Sequence, residues 1–453
     1  MALEPAARSA LAEMIDAIDG RGFRSPELMV IGDNALNGMS SATLDGRRAA
    51  AAPPVLAAAA AGLPIRPVTL PRAVLADMEQ ACRDLAAGAL NVAGFRERIL
   101  GDLALWEADL AGPKAEGPAW FDVLAISGAA VADLTDAASG SAGGARRMLA
   151  GAAKRFRAAA GLPGDELVEI HMGVETVHTL NPRGLAELDG LTQVDHVDLR
   201  RPKRLVIGVG QNDGLVSAIM AGKRIDVFDR RLARLPEAMR RLGEALAPGL
   251  EETQRVVLLG LPRPGLVANL RPKTLHPDEQ DPGRDPKARD HWRRYVGFLA
   301  MRGDMTGREV VEFDAHAAKI WRKAVEAFRG AIGRAADRVI EVDPAALLAP
   351  YDQKHGGEGL PVDVGGRRLA LGNLIIDPET PGLYGIDNLN LNGAGQALIA
   401  RALADALVPG TGDAVDIDAA ARAEPLLHDA PPLLNPAAFL ISLLSPFVTF
   451  ERI

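Results

Sequence analysis

One cysteine, Cys82, stands in 453 residues. A lone thiol excludes an internal disulfide and suits a reducing compartment, and the surrounding sequence predicts an ordinary small helix residue there. Positive charge is also short: the formal net charge is -8, and lysines and arginines are scattered among acidic residues rather than gathered into a stripe, so no nucleic-acid partner is expected. Long apolar runs are missing. The nearest, residues 437–450, is interrupted by Pro446 and falls short of the ~20 residues of a membrane span; packing onto the domain and membrane contact by this tail both stay open. The first residues, Met1-Ala-Leu-Glu-Pro-Ala-Ala-Arg, carry charge where an export signal needs an apolar core, so a cytoplasmic location is expected. The eight histidines and Cys82 show no metal-ligand spacing. Gly208-Val-Gly210 lacks the third glycine and the helix context of a dinucleotide loop. No metal and no cofactor are expected.

What is present is a large apolar fraction, 48% of residues against 24% charged, enough for a sizeable buried core. Short apolar runs bounded by Gly, Ser or Asp predict strands at 28–32, 120–126, 204–209, 255–261 and 338–342. Between them lie helical stretches at 1–20, 49–62, 72–110 (one or two helices), about 146–178, 229–246, 308–335 and 391–407. Residues 137–145, rich in Ala, Gly and Ser, predict a loop, and the charged segment 277–294 a solvated excursion. Strands alternating with helices argue for a parallel sheet covered on both faces. The expected organisation is an N-terminal helix at 1–24, one α/β domain with helical insertions at 25–410, and a C-terminal tail at 411–453.

Ligands of open α/β sheets sit beyond the carboxyl ends of the strands, so polar residues there are the candidate site. The first strand stops in Gly32-Asp33-Asn34. The second ends in Ser127-Gly128, where a glycine lets a backbone N–H approach a reacting carbonyl oxygen. The third runs into Gly208-Val-Gly-Gln-Asn-Asp-Gly214, whose Asn212 offers a neutral donor. Near the C-terminus stands Gly385-Ile-Asp-Asn-Leu-Asn-Leu-Asn-Gly393, ahead of a helix containing Ile399-Ala400.

In their residues and order these blocks resemble the SGNH (GDSL-type) hydrolases, and over residues 25–408 the larger bacterial lipases and esterases of that family. The segment Leu360–Leu369 is similar to one those proteins carry before their last block. The resemblance implies a flavodoxin-like three-layer α/β/α sandwich with about five parallel strands. It also implies an oxyanion hole from the Asn34 N–H, the Gly128 N–H and the Asn212 side chain. The family's nucleophilic serine falls on Asn34, its aspartate on Asp387 and its histidine on Asn390, while Leu391 replaces the usual proline.

A carboxamide at 34 cannot become an attacking oxyanion, and one at 390 has no basic nitrogen to move a proton. Losing nucleophile or base in such a unit costs on the order of 10⁶ in rate, leaving ~10³–10⁴ over water from the hole alone. The expectation is a non-catalytic pocket that binds an ester, carboxylate or acyl ligand, or a partner protein. Two alternatives remain: an ester hydrolase with a substitute nucleophile (Ser40, Ser41 or Ser127) and base (His355), and a structural or membrane-peripheral protein.

Overall fold

Asp33 is carried past the end of a sheet by a glycine that no other residue could replace. The structure, a computed structural model, describes residues 5–19, 22–159, 161–215, 230–267, 270–272, 294–297, 304–353, 357–372 and 382–431. Its strands, in chain order, are β1 (Met29–Gly32), β2 (Arg204–Gly208), β3 (Arg255–Leu259), β4 (Leu270–Pro272), β5 (Arg294–Gly297), β6 (Asp304–Thr306), β7 (Val339–Val342), β8 (Leu360–Val364) and β9 (Arg367–Leu371). Four of them form a parallel sheet in the order β1-β2-β3-β7. The Val, Ile and Leu runs that announce β1, β2 and β3 are buried almost without exception, as strands covered on both faces must be.

The segment expected as a strand at 120–126 runs along the free side of β1. It makes three backbone hydrogen bonds there: Val30 N–H to Asp122 O, Leu124 N–H to Val30 O and Ile126 N–H to Gly32 O. Only the pair Val30 and Val123 forms a ladder rung; on its other side Asp122 N–H donates to Arg66 O, and the Asp122 carboxylate accepts from Arg66 N–H. At Gly32, φ is +139° and a Cβ would lie 2.0 Å from Gly208 O. Glycine therefore lets the chain leave β1 against β2, where Asp33 N–H donates to Gly208 O.

Helix Gly393–Leu407 packs on helix Pro53–Ala60 and on β3 and β7, and helix Leu235–Leu246 packs on helix Gly307–Ala331. The stretch 72–110 resolves into two helices, Met78–Ala86 and Val92–Asp109, each N-capped by its own side chain, Asp77 and Asn91. Residues 137–145 depart from expectation. They are helical, as Ala137–Gly140 and the start of Ala142–Ala158, with Ser141 as N-cap. The small residues serve packing there rather than turning, since a Cβ at Gly140 would lie 1.6 Å from Asp133 O. Pro163 then separates Ala142–Ala158 from helix Gly164–Leu180.

Helix Pro5–Asp19 seats Ala12 and Ile15 in a small separate core with Phe23, Trp120 and Leu188. Within 411–431, helix Ile417–Ala423 lies against Gly393–Leu407 and β8, Leu426 and Leu427 are buried, and Glu424 accepts from Gly393 N–H. The apolar run 437–450, and the charged segment 277–294 apart from Arg294, lie outside the described residues. Among the described residues no helix is long and apolar enough to cross a membrane.

Candidate functional site

The loops after β1, β2 and the 122–126 segment meet the turn before helix Gly393–Leu407 at one point, where asparagine and aspartate side chains form a continuous hydrogen-bonded chain. Asp387 anchors it. The Asp387 carboxylate accepts four N–H bonds: Ala42 N–H (2.6 Å) and Asn390 Nδ2 (2.8 Å) on one oxygen, and the Leu389 and Asn390 backbone N–H groups (both 3.0 Å) on the other. A carboxylate has only lone pairs to offer, so Asn390 must turn its Nδ2 toward it. Asn390 Oδ1 is thereby left to accept from Asn34 Nδ2, at 2.7 Å. Asn34 Oδ1 in turn accepts from Asn212 Nδ2 (3.0 Å) and lies 3.5 Å from the Gly128 N–H.

Asn34, Gly128, Asn212, Asp387 and Asn390 are thus joined in one cluster, of which Asn34 and Asn390 line a cavity. The donors at 128 and 212 converge, and what they converge on is the protein's own Asn34 oxygen. Asn212 Nδ2 also reaches Ala129 O, at 3.1 Å. Asp387 ends the chain as acceptor and Asn212 as donor, while Asn390 and Asn34 between them each donate in one direction and accept from the other, an arrangement that holds a polar network in shape.

Beneath the chain, buried groups fix the loops. Asp33, 1% exposed, accepts from Ala35 N–H and Gln211 Nε2, both at 3.0 Å, while its Oδ2 has no partner among the described residues. Burial, aided by nearby Asp213, pushes the Asp33 carboxyl up to about 8. Asp213, pushed up by burial to about 6, accepts from Val131 N–H and holds the segment after Gly128. Glu175 accepts from Ser127 N–H (3.0 Å) and Asn37 Nδ2 (2.7 Å), and Asn37 also donates to Ser127 Oγ. Glu175 and Gln211 escape a reading by motif. Glu175 is one of several polar residues in helix Gly164–Leu180, and Gln211 lies in a strand-end turn, so neither stands out in the sequence.

A cavity of about 70 Å³ is lined by Asn34, Asn390 and Gln211, with Leu259, Leu389 and Ile399 among its apolar walls. No Asp, Glu, Lys, Arg or His lines it among the described residues. Ser40, Ser41 and Ser127 are all buried and none lines it; Ser41 Oγ donates to Glu79 and Ser127 Oγ accepts from Asn37. His178 and His196, pushed down by burial to about 4 and about 3, also stand away from the lining. His355 lies outside the described residues. Among the described residues no cluster of His, Cys, Asp and Glu could hold a metal ion. Comparison with protein-family models, with curated proteins and with solved structures finds no match.

Proposed function

We propose that this chain is an SGNH-hydrolase-like protein that binds an acyl ligand without cleaving it, the ligand lying in the cavity beside Asn34 and Asn390. In this reading the frame is a three-layer α/β/α sandwich, with residues 122–126 in the place of a fifth, outer strand. Their three hydrogen bonds to β1 support that placement. The observation that carries the reading is the chain Asp387–Asn390–Asn34–Asn212. It follows the path along which a hydrolase of this kind would pass a proton, but amides replace both groups that would carry it. A carboxamide neither gives up nor takes a proton near neutral pH, so the path is static. A cytoplasmic setting belongs to the proposal, and Cys82, a buried thiol pushed up to about 12, is compatible with it.

The test is turnover of p-nitrophenyl butyrate by the purified chain, with binding followed by methyl NMR. The expected result is no hydrolysis above buffer, together with perturbed methyl signals of Leu389, Leu391 and Ile399 when a short-chain acyl compound is added. Hydrolysis that disappears in Asn212→Ala would overturn the proposal in favour of an esterase using other residues.

A further inference from the structure

Resting on the reading of the cavity as an acyl site, we infer that its ligand is a neutral primary carboxamide with a short branched chain, rather than a carboxylate or an ester. Three observations on the lining lead there. First, the walls offer no charge: the described residues around the cavity include no Asp, Glu, Lys, Arg or His. A carboxylate placed there would leave water without a cation to meet it, and an unpaired charge is the costliest group to bury. One hydrogen bond behind Asn390 stands the Asp387 carboxyl, which supplies no positive charge to an anion.

Second, the polar end both donates and accepts. Asn34 Nδ2 spends one N–H on Asn390 Oδ1, and Asn390 Nδ2 spends one on Asp387. Each nitrogen therefore keeps a second N–H, and Asn390 Oδ1 keeps a second lone pair. A primary amide answers both with its carbonyl and its NH₂, whereas an ester or carboxylate can only accept. The donors that would receive a carbonyl oxygen in a hydrolase, Asn212 Nδ2 and Gly128 N–H, already face Asn34 Oδ1. A ligand head is therefore directed to the two asparagines that line the cavity, Asn34 and Asn390.

Third, the space is small. About 70 Å³ is roughly half the ~150 Å³ that holds a benzene ring, room for about three carbon atoms. An isopropyl group with its amide at Asn34 and Asn390 matches that size.

The probes are isobutyramide and isobutyrate, titrated separately at pH 7 into the whole protein and followed on the methyl signals of Leu389, Leu391 and Ile399. Isobutyramide is expected to bind at least about tenfold more tightly, and Leu391→Phe, which fills the cavity, to remove the response. Below the pKa of isobutyric acid, where the probe is neutral and regains a donor, its affinity is expected to rise toward that of the amide. Isobutyrate binding as tightly as isobutyramide at pH 7, or unchanged isobutyramide affinity in a folded Leu391→Phe protein, overturns the inference. The first of these leaves the acyl-site reading standing. Saturating concentrations of both probes that leave the three residues unmoved overturn the inference and the acyl-site reading together.

Discussion

Exchanging both asparagines at once, Asn34→Ser with Asn390→His, tests whether the frame keeps the geometry of a proton relay. The structure gives the spans. A serine hydroxyl ends one bond nearer to Cβ than an asparagine amide, and the Nε2 of an imidazole ends one bond further out. The two differences cancel, so the pair must bridge the gap that Asn34 Nδ2 and Asn390 Oδ1 now close at 2.7 Å. An imidazole Nδ1 hangs from Cγ as the Asn390 Nδ2 does, so it inherits the 2.8 Å contact to Asp387. Removing the Asn34 carboxamide also frees Asn212 Nδ2 and Gly128 N–H to meet a developing oxyanion. General acid–base assistance alone is worth ~10²–10⁴, so p-nitrophenyl butyrate turnover is expected to rise at least about 10²-fold over the unaltered chain. Each single exchange is expected to stay near baseline, because nucleophile and base act as a unit. Adding Asn212→Ala is expected to remove about 10²–10³ of the gain. A double variant that folds with an unchanged circular dichroism spectrum, and hydrolyses no faster than the unaltered chain, refutes the reasoning.

Asp33→Asn is expected to change how stability depends on pH. A carboxyl held near 8 in the folded state keeps a proton that the unfolded chain releases near 4, so between those values stability falls as pH rises, by about 1.4 kcal/mol per unit. Urea unfolding at pH 5 and pH 7 is expected to show a fall about 2–3 kcal/mol steeper in the unaltered protein than in the variant; equal slopes refute it. Arg200→Ala tests the buried pair behind the 122–126 segment. Arg200 lies over the Phe23 ring, bonds Phe23 O and Phe121 O, and pairs with Asp122. Leaving Asp122 alone is expected to cost ~3–5 kcal/mol in urea unfolding, and a loss under about 1 kcal/mol would show that the pair does not hold this edge.

The sheet was readable because β1, β2 and β3 are short, continuous apolar runs ended by polar residues or glycine, a pattern that buried parallel strands impose. Residues 137–145 misled because small residues serve both turns and close helix contacts, and only the neighbouring Asp133 carbonyl, brought near by the fold, decides between them. The site was partly legible for the same reason as the sheet. Asn34, Gly128 and Asn212 follow strand-like runs directly, and the crevice beyond strand ends is where side chains from separate strands converge. What no pattern could state is which way each carboxamide faces. That follows from Asp387 being surrounded by four N–H groups, two of them from residues 42 and 389 with no motif role. Glu175 was hidden for a related reason, its importance lying in Asn37 and Ser127, both remote in sequence.

On the proposed reading, that orientation sets how the site would discriminate among ligands. A carbonyl oxygen entering the donors at 128 and 212 must first turn Asn34 Oδ1 out, and the same rotation breaks the bond from Asn34 Nδ2 to Asn390. The ligand would gain contacts of the kind the protein gives up, and an exchange of like hydrogen bonds yields little net free energy. Binding driven through the hole is therefore close to neutral, whereas binding that leaves the chain intact gains whatever apolar area the cavity buries, at about 25 cal/mol per Å². Selectivity then rests on the cavity walls and on the spare N–H groups of Asn34 and Asn390. On the proposed reading, an Asn34 oxygen that occupies the donors at 128 and 212 leaves the cavity to bind a ligand rather than to react with it.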